Sequence, residues 1–179
     1  MKKAVFVLIL LLFFTSCEKV RQKKTSKRVI YSTKYCKKGK KLWAKSFLGK
    51  KAPEFTVEGW LGAKPNLKGK FVIMDFWATH CPQCRRAIPE LNKIAKELKD
   101  KVVVIGISSE SESVIKSMKE PVIEYYSAYD TRAVLKRKFQ VRGIPHIVVV
   151  APDGKVVWEG YPFLGSDRFT LEKMKQIIK

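Results

Sequence analysis

The chain has 179 residues, is 46% hydrophobic and 11% aromatic, and carries a formal charge of +21. That is enough for one ordinary domain with accessories, and it excludes a disordered polymer or a low-complexity fibre. A net +13 falls in residues 17–51, so the remainder is only mildly basic and no nucleic-acid groove across the fold is expected.

Met1-Lys2-Lys3 precedes eleven residues without a polar group, Ala4 to Phe14. Eleven residues are too few to cross a bilayer as a helix, which needs about 20. They suit the apolar core of a secretory signal. Thr15-Ser16-Cys17 follows and resembles the cleavage site of a bacterial lipoprotein, with Leu missing three residues before the cysteine. Residues 1–16 are therefore expected to be a signal peptide and Cys17 a lipidated first residue. Export to the periplasm or cell envelope follows. Residues 17–46 read as a basic linker: Lys19 to Lys24 and Lys37 to Lys41 show no apolar period, and like charges keep such runs extended. Beside a lipid anchor the linker would also be drawn to an anionic membrane surface. Cys36, in this stretch, has no partner in the sequence pattern.

The domain is expected over residues 47–179. Phe71 to Ala78 is an apolar run of strand length, as expected for a strand buried on both faces. A helix is expected from Cys81-Pro82 through Leu98, with Ile88, Leu91, Ile94, Ala95 and Leu98 on one side and Pro89 as a kink. Val102 to Ile107 is a second buried strand. A helix over Ser113 to Lys119, a short strand over Val122 to Tyr126 and a helix over Thr131 to Phe139 follow. His146 to Val150 is a third core strand. Pro152-Asp153-Gly154 turns the chain into a hairpin partner at Lys155 to Glu159. Asp167 to Ile178 is a terminal helix. Strands alternating with helices imply an α/β fold whose central sheet has helices on both faces.

Cys81-Pro82-Gln83-Cys84 stands where a buried strand gives way to a helix. Spacing i, i+3 puts both sulfurs on one side of the first turn. That turn offers unpaired N–H groups and the positive end of the helix dipole, which favour a thiolate at Cys81. Cys84, one turn inside, is placed to resolve a mixed disulfide. Half of a zinc site looks the same, but no second CxxC exists.

The segment from Asp75 to Pro89, Asp-Phe-Trp-Ala-Thr-His-Cys-Pro-Gln-Cys-Arg-Arg-Ala-Ile-Pro, resembles the active-site segment of thioredoxin-fold proteins, above all the exported TlpA/ResA-like thiol–disulfide oxidoreductases. Ala52-Pro53-Glu54-Phe55 resembles that family's opening. Arg142-Gly143-Ile144-Pro145 resembles its cis-proline loop, and Asp153-Gly154-Lys155 the hairpin turn beyond it. The resemblance implies a thioredoxin-like fold with an N-terminal extension and a central insertion near residues 108–131. It implies a redox-active Cys81–Cys84 disulfide, with no cofactor and no resident metal. Clients would be proteins carrying disulfides or dithiols, and electrons would come from a membrane-embedded thiol reductant. Cytochrome c maturation is one implied setting, and an oxidant or isomerase role is the alternative.

The resemblance also assigns roles. Asp75, six residues before Cys81, takes the place of the buried acid/base that serves Cys84; a carboxylate reaching water at the strand edge is the competing reading. Many relatives carry Glu three residues past the second cysteine, where Ala87 stands. Trp77, Pro82, Ile144 and Pro145 would contact the client, though a plain core role suits Trp77 equally. His80 and His146, the chain's two histidines, would flank the sulfurs and stabilise the thiolate. They could equally be bystanders, or complete a metal site with Cys81 and Cys84, as in a metal-binding chaperone. A peroxidase would need Thr where Ala78 stands.

Overall fold

The computed structural model of the protein describes Tyr31, residues 42–163 and residues 168–179. The expected signal peptide, Cys17, Cys36 and most of the expected linker lie outside the described residues. The elements are β1 (Gly59–Trp60), β2 (Phe71–Trp77), α1 (Pro82–Glu97), β3 (Val102–Ser108), α2 (Glu112–Ser117), β4 (Tyr126–Tyr129), α3 (Val134–Lys138), β5 (His146–Val150), β6 (Val156–Gly160) and α4 (Leu171–Ile177).

They form one mixed sheet of six strands in the order β1-β4-β3-β2-β5-β6. β2, β3 and β4 run parallel, β5 lies antiparallel beside β2, and β6 pairs antiparallel with β5 at the sheet edge. The central strands are apolar on both sides because both sides are covered. One face carries Ile73, Trp77, Val104, Ile147 and Val149, packed against Ile88, Leu91 and Ile94 of α1 and Met174 and Ile177 of α4. The other carries Met74, Phe76, Ile105 and Val148, packed against Leu135 and Phe139 and against Phe47 and Phe55 of the N-terminal segment.

The expected strand at Val122 to Tyr126 is displaced to β4. The reason lies in α1: Asn92 donates to the Val122 carbonyl and accepts from the Glu124 N–H, both at 2.9 Å. Those backbone groups are thereby withdrawn from a ladder, and Val122 is exposed. α3 begins later than expected, because Ala133 at its N-cap has a left-handed φ of 50° and Asp130 accepts from Leu135 N–H at 2.8 Å. α4 starts at Leu171, capped by Thr170. Pro89 sits inside a continuous α1. β1 is too short to show in the sequence. Gly59 is required there, since a Cβ would stand 2.3 Å from the Tyr129 ring. The chain contacts the domain ahead of the expected start at residue 47. Trp43 O accepts from Gly143 N–H at 3.3 Å, and the Ser46 hydroxyl donates to the buried Glu159.

Candidate active site

Sheet topology builds the site. β2 and β3 are parallel neighbours, so the segments after them, 78–81 and 109–111, leave the same edge of the sheet. β5 lies antiparallel on the other side of β2, with Phe76 opposite His146, so the loop entering β5 arrives at that edge too. Three loops therefore meet at the start of α1.

Cys81 is the N-cap of α1, with Pro82 in the first turn where a missing N–H costs nothing. Its sulfur accepts from Cys84 N–H at 3.2 Å. Cys81 and Cys84 are joined as a disulfide. Cys81 is half-buried, whereas Cys84 is 0% exposed. A client can therefore reach only the first sulfur. Ile144, half-buried, packs on the same cluster as Cys81, and the Ile144–Pro145 peptide bond is cis. Pro145 is buried and Pro82 exposed.

Asp75 is 0% exposed, and by strand alternation it shares the face that α1 covers. Burial pushes its carboxyl from 3.8 up to about 7, against a smaller downward pull from the Tyr125 hydroxyl. Neither carboxyl oxygen closes a hydrogen bond of ordinary geometry. The water-reaching edge carboxylate does not exist here.

Two expectations change. Trp77 is 2% exposed, with its ring beside Gly106 and Tyr125, so it is core and offers no surface to a client. The histidines do not flank the disulfide together. His146 is buried against Phe76, on the face turned away from α1, because alternation along β5 puts Ile147, not His146, on the α1 side. His80 is exposed, and its Nδ1 stands 3.1 Å from Glu110 Oε1. Among the described residues no group of three His, Cys, Asp or Glu side chains is gathered to hold a metal ion.

Glu110 went unnoticed in the sequence. Its carboxylate accepts from Thr79 N–H at 2.8 Å, from the Thr79 hydroxyl at 2.7 Å and from the Ser108 hydroxyl at 2.9 Å. Burial pushes the carboxyl up, but these bonds and His80 pull it further down, to below the ordinary 4.5. It fixes the two residues that lead into Cys81. An acid just past the second buried strand was the available signal, because parallel neighbours put their following loops side by side. Glu110→Ala strips the Thr79 N–H of its acceptor, which costs about 1–3 kcal/mol. The urea midpoint should fall accordingly, and an unchanged midpoint would show that the loop holds itself.

A model of the AhpC/TSA family matches residues 48–159. The chain belongs to that family. The chain is similar to the thiol-disulfide oxidoreductase ResA of Bacillus cereus, 32% identical over 116 residues, which is 62% of this chain and 67% of that one. The thioredoxin-like protein YneN of Bacillus subtilis is 40% identical over 63 residues, 34% of this chain and 37% of YneN. Two crystal structures share the fold. A putative thiol:disulfide interchange protein DsbE from Chlorobium tepidum has a TM-score of 0.61 and 26% identity, covering 72% of this chain and 93% of that one. The thioredoxin domain of a thiol-disulfide oxidoreductase from Bacteroides vulgatus has a TM-score of 0.61 and 27% identity, covering 74% and 98%. The fold is thioredoxin-like, and the activity class is thiol–disulfide oxidoreductase.

Proposed function

We propose that this thiol–disulfide oxidoreductase works in the cell envelope as a reductant of client disulfides, tethered through lipidated Cys17. The observation that carries the reading is the pairing of a half-buried Cys81 at a helix N-cap with a fully buried Cys84. The exposed sulfur attacks a client disulfide and the enclosed one resolves the adduct. Asp75 takes the Cys84 proton, Ile144 and Pro145 seat the client segment beside the disulfide, and Pro82 borders it. A membrane-embedded thiol reductant returns the electrons. Apocytochrome c is a client class consistent with the likeness to ResA.

The reductive direction draws support from the electrostatics around Cys81. A strong oxidant needs a heavily stabilised thiolate. Here the nearest imidazole, His80, is paired with the Glu110 carboxylate, and His146 lies across the sheet. The helix N-terminus is left as the main support of a negative sulfur. The Cys81–Cys84 potential against glutathione should lie near about −270 mV, and a value near about −120 mV would make the protein an oxidant instead. The tether has its own check. Cys17→Ser should release the protein from the membrane fraction, since an acyl anchor is lost. Retention in high salt after leader cleavage would overturn the tether through Cys17.

A further inference from the structure

Asp75 shares its burial with a residue from the central insertion. Tyr125 lies in the loop between α2 and β4 and is 8% exposed. Its hydroxyl stands beside the Asp75 carboxyl, close enough for each to alter the other's hold on a proton. Yet both Asp75 oxygens, Tyr125 Oη and Trp77 Nε1 are buried without closing a hydrogen bond of ordinary geometry. Gly106, the β3 partner of Asp75, makes the room: a Cβ there would stand 3.0 Å from Trp77 Nε1 and 3.1 Å from Tyr125 Cε2. Tyr125 also lines a half-open cleft of about 770 Å³ between α1, β3 and its own loop.

Buried polar groups are normally paired, and leaving them unpaired is costly. A carboxyl that alternates between acid and anion cannot be satisfied in both states by a fixed donor or a fixed acceptor. A hydroxyl can serve both, donating to the anion and accepting from the acid.

We propose that Tyr125 is a positioning residue for the redox step, its hydroxyl turning from donor to acceptor as Asp75 gains the Cys84 proton. The inference rests on the reading of Asp75 as that proton's acceptor. In the step, Cys84 sulfur attacks Cys81 of the mixed disulfide. The Cys81–client bond breaks and the Cys81–Cys84 bond forms. The Cys84 proton passes to Asp75, and the client sulfur leaves as a thiolate that takes a proton from water. Over both exchanges the client disulfide gains two electrons and the protein dithiol loses two.

Among the described residues, Tyr125 from the insertion loop is the titratable group that acts on Asp75, and Cys84 of α1 belongs to the cluster on the same side of the sheet. β3 offers Gly106 and β5 offers Ile147. His146 and Glu159 belong to the opposite face of the sheet, by alternation along β5 and β6.

The test is the pH dependence of resolution. A mixed disulfide between Cys81 and a chromogenic thiol is formed on the full chain, and release of that thiol is followed from pH 5 to 9 in wild type, Tyr125→Phe and Asp75→Asn. Phe keeps the ring in the core and removes the hydroxyl, both the charge-assisted donor to the anion and the weaker neutral acceptor for the acid, so the anion loses more. The midpoint should move up by roughly one pH unit in Tyr125→Phe, a tenfold weaker acid, with the rate recovered at high pH. Infrared titration of the Asp75 carboxyl in the oxidised protein should move the same way. A merely structural role would lower the rate equally at every pH. If Asp75→Asn removes the limb while Tyr125→Phe leaves its midpoint unchanged, the role of Tyr125 is overturned. If Asp75→Asn leaves the limb intact, the reading of Asp75 is the one that fails, and the inference falls with it.

Discussion

Cys84→Ser should accumulate a covalent complex with clients, and Cys81→Ser should form none. The asymmetry follows from exposure. Cys81 is half-buried at the N-cap, while Cys84 is 0% exposed beneath the first turn. A client disulfide can be approached only by the Cys81 sulfur, whose thiolate is supported by the helix N-terminus. With Cys81 gone, insulin-type disulfide reduction should drop to the uncatalysed level. With Cys84 gone, the first exchange still runs and the adduct has no resolving thiol, so it persists until an added thiol releases it. Both variants are best compared in a Cys36→Ser background, so that no other domain-side thiol can resolve the adduct. Non-reducing electrophoresis reads the outcome. Full turnover by Cys84→Ser would rule out the two-cysteine mechanism.

The parts of this protein that could be read in advance share one property: their signal is local. The β2 run from Phe71 to Trp77 is apolar except for Asp75, and after three further residues begins the CxxC that caps α1. A six-residue separation was enough to single out Asp75. What escaped depends on which segments the sheet brings together. Glu110 sits in an unremarkable serine-rich loop, and only the parallel pairing of β2 with β3 carries it to Thr79 and His80. The histidines show the reverse error. Each is next to a motif residue in sequence, but His146 begins a strand, and alternation on that strand turns its ring to the far face. The strand at Tyr126–Tyr129 was misplaced because one side chain, Asn92, occupies the backbone of the more apolar stretch before it. Tyr125 was absorbed into that misplaced strand, which hid its relation to Asp75.

Asp75→Asn should make the protein more stable above neutral pH and slower at its chemistry. Asp75 is fully buried, and burial holds its carboxyl at about 7, up from an ordinary 3.8. The folded state therefore binds this proton more tightly than the unfolded chain does. Its contribution to stability is complete below about pH 4 and is lost as pH rises through about 7. A carboxyl moved that far makes the folded state about 4 kcal/mol less stable at pH 8.5 than at pH 4, relative to a neutral residue of the same shape. Asn has that shape and no proton to lose, although its amide brings N–H groups into a place short of partners. Part of the gain is spent there, so the variant should exceed the wild type by about 2–4 kcal/mol at pH 8.5. Near pH 4 the advantage should vanish or reverse. Urea denaturation of both proteins at half-unit steps from pH 4 to 8.5 gives the two curves. Parallel curves would mean that Asp75 titrates at its ordinary value and is not held neutral by the fold. The cost of the stabilisation falls on Cys84, which loses its proton acceptor. A buried acid that weakens the fold at the pH where it is ionised is retained where the chemistry needs it, and the two effects of one substitution should therefore run in opposite directions.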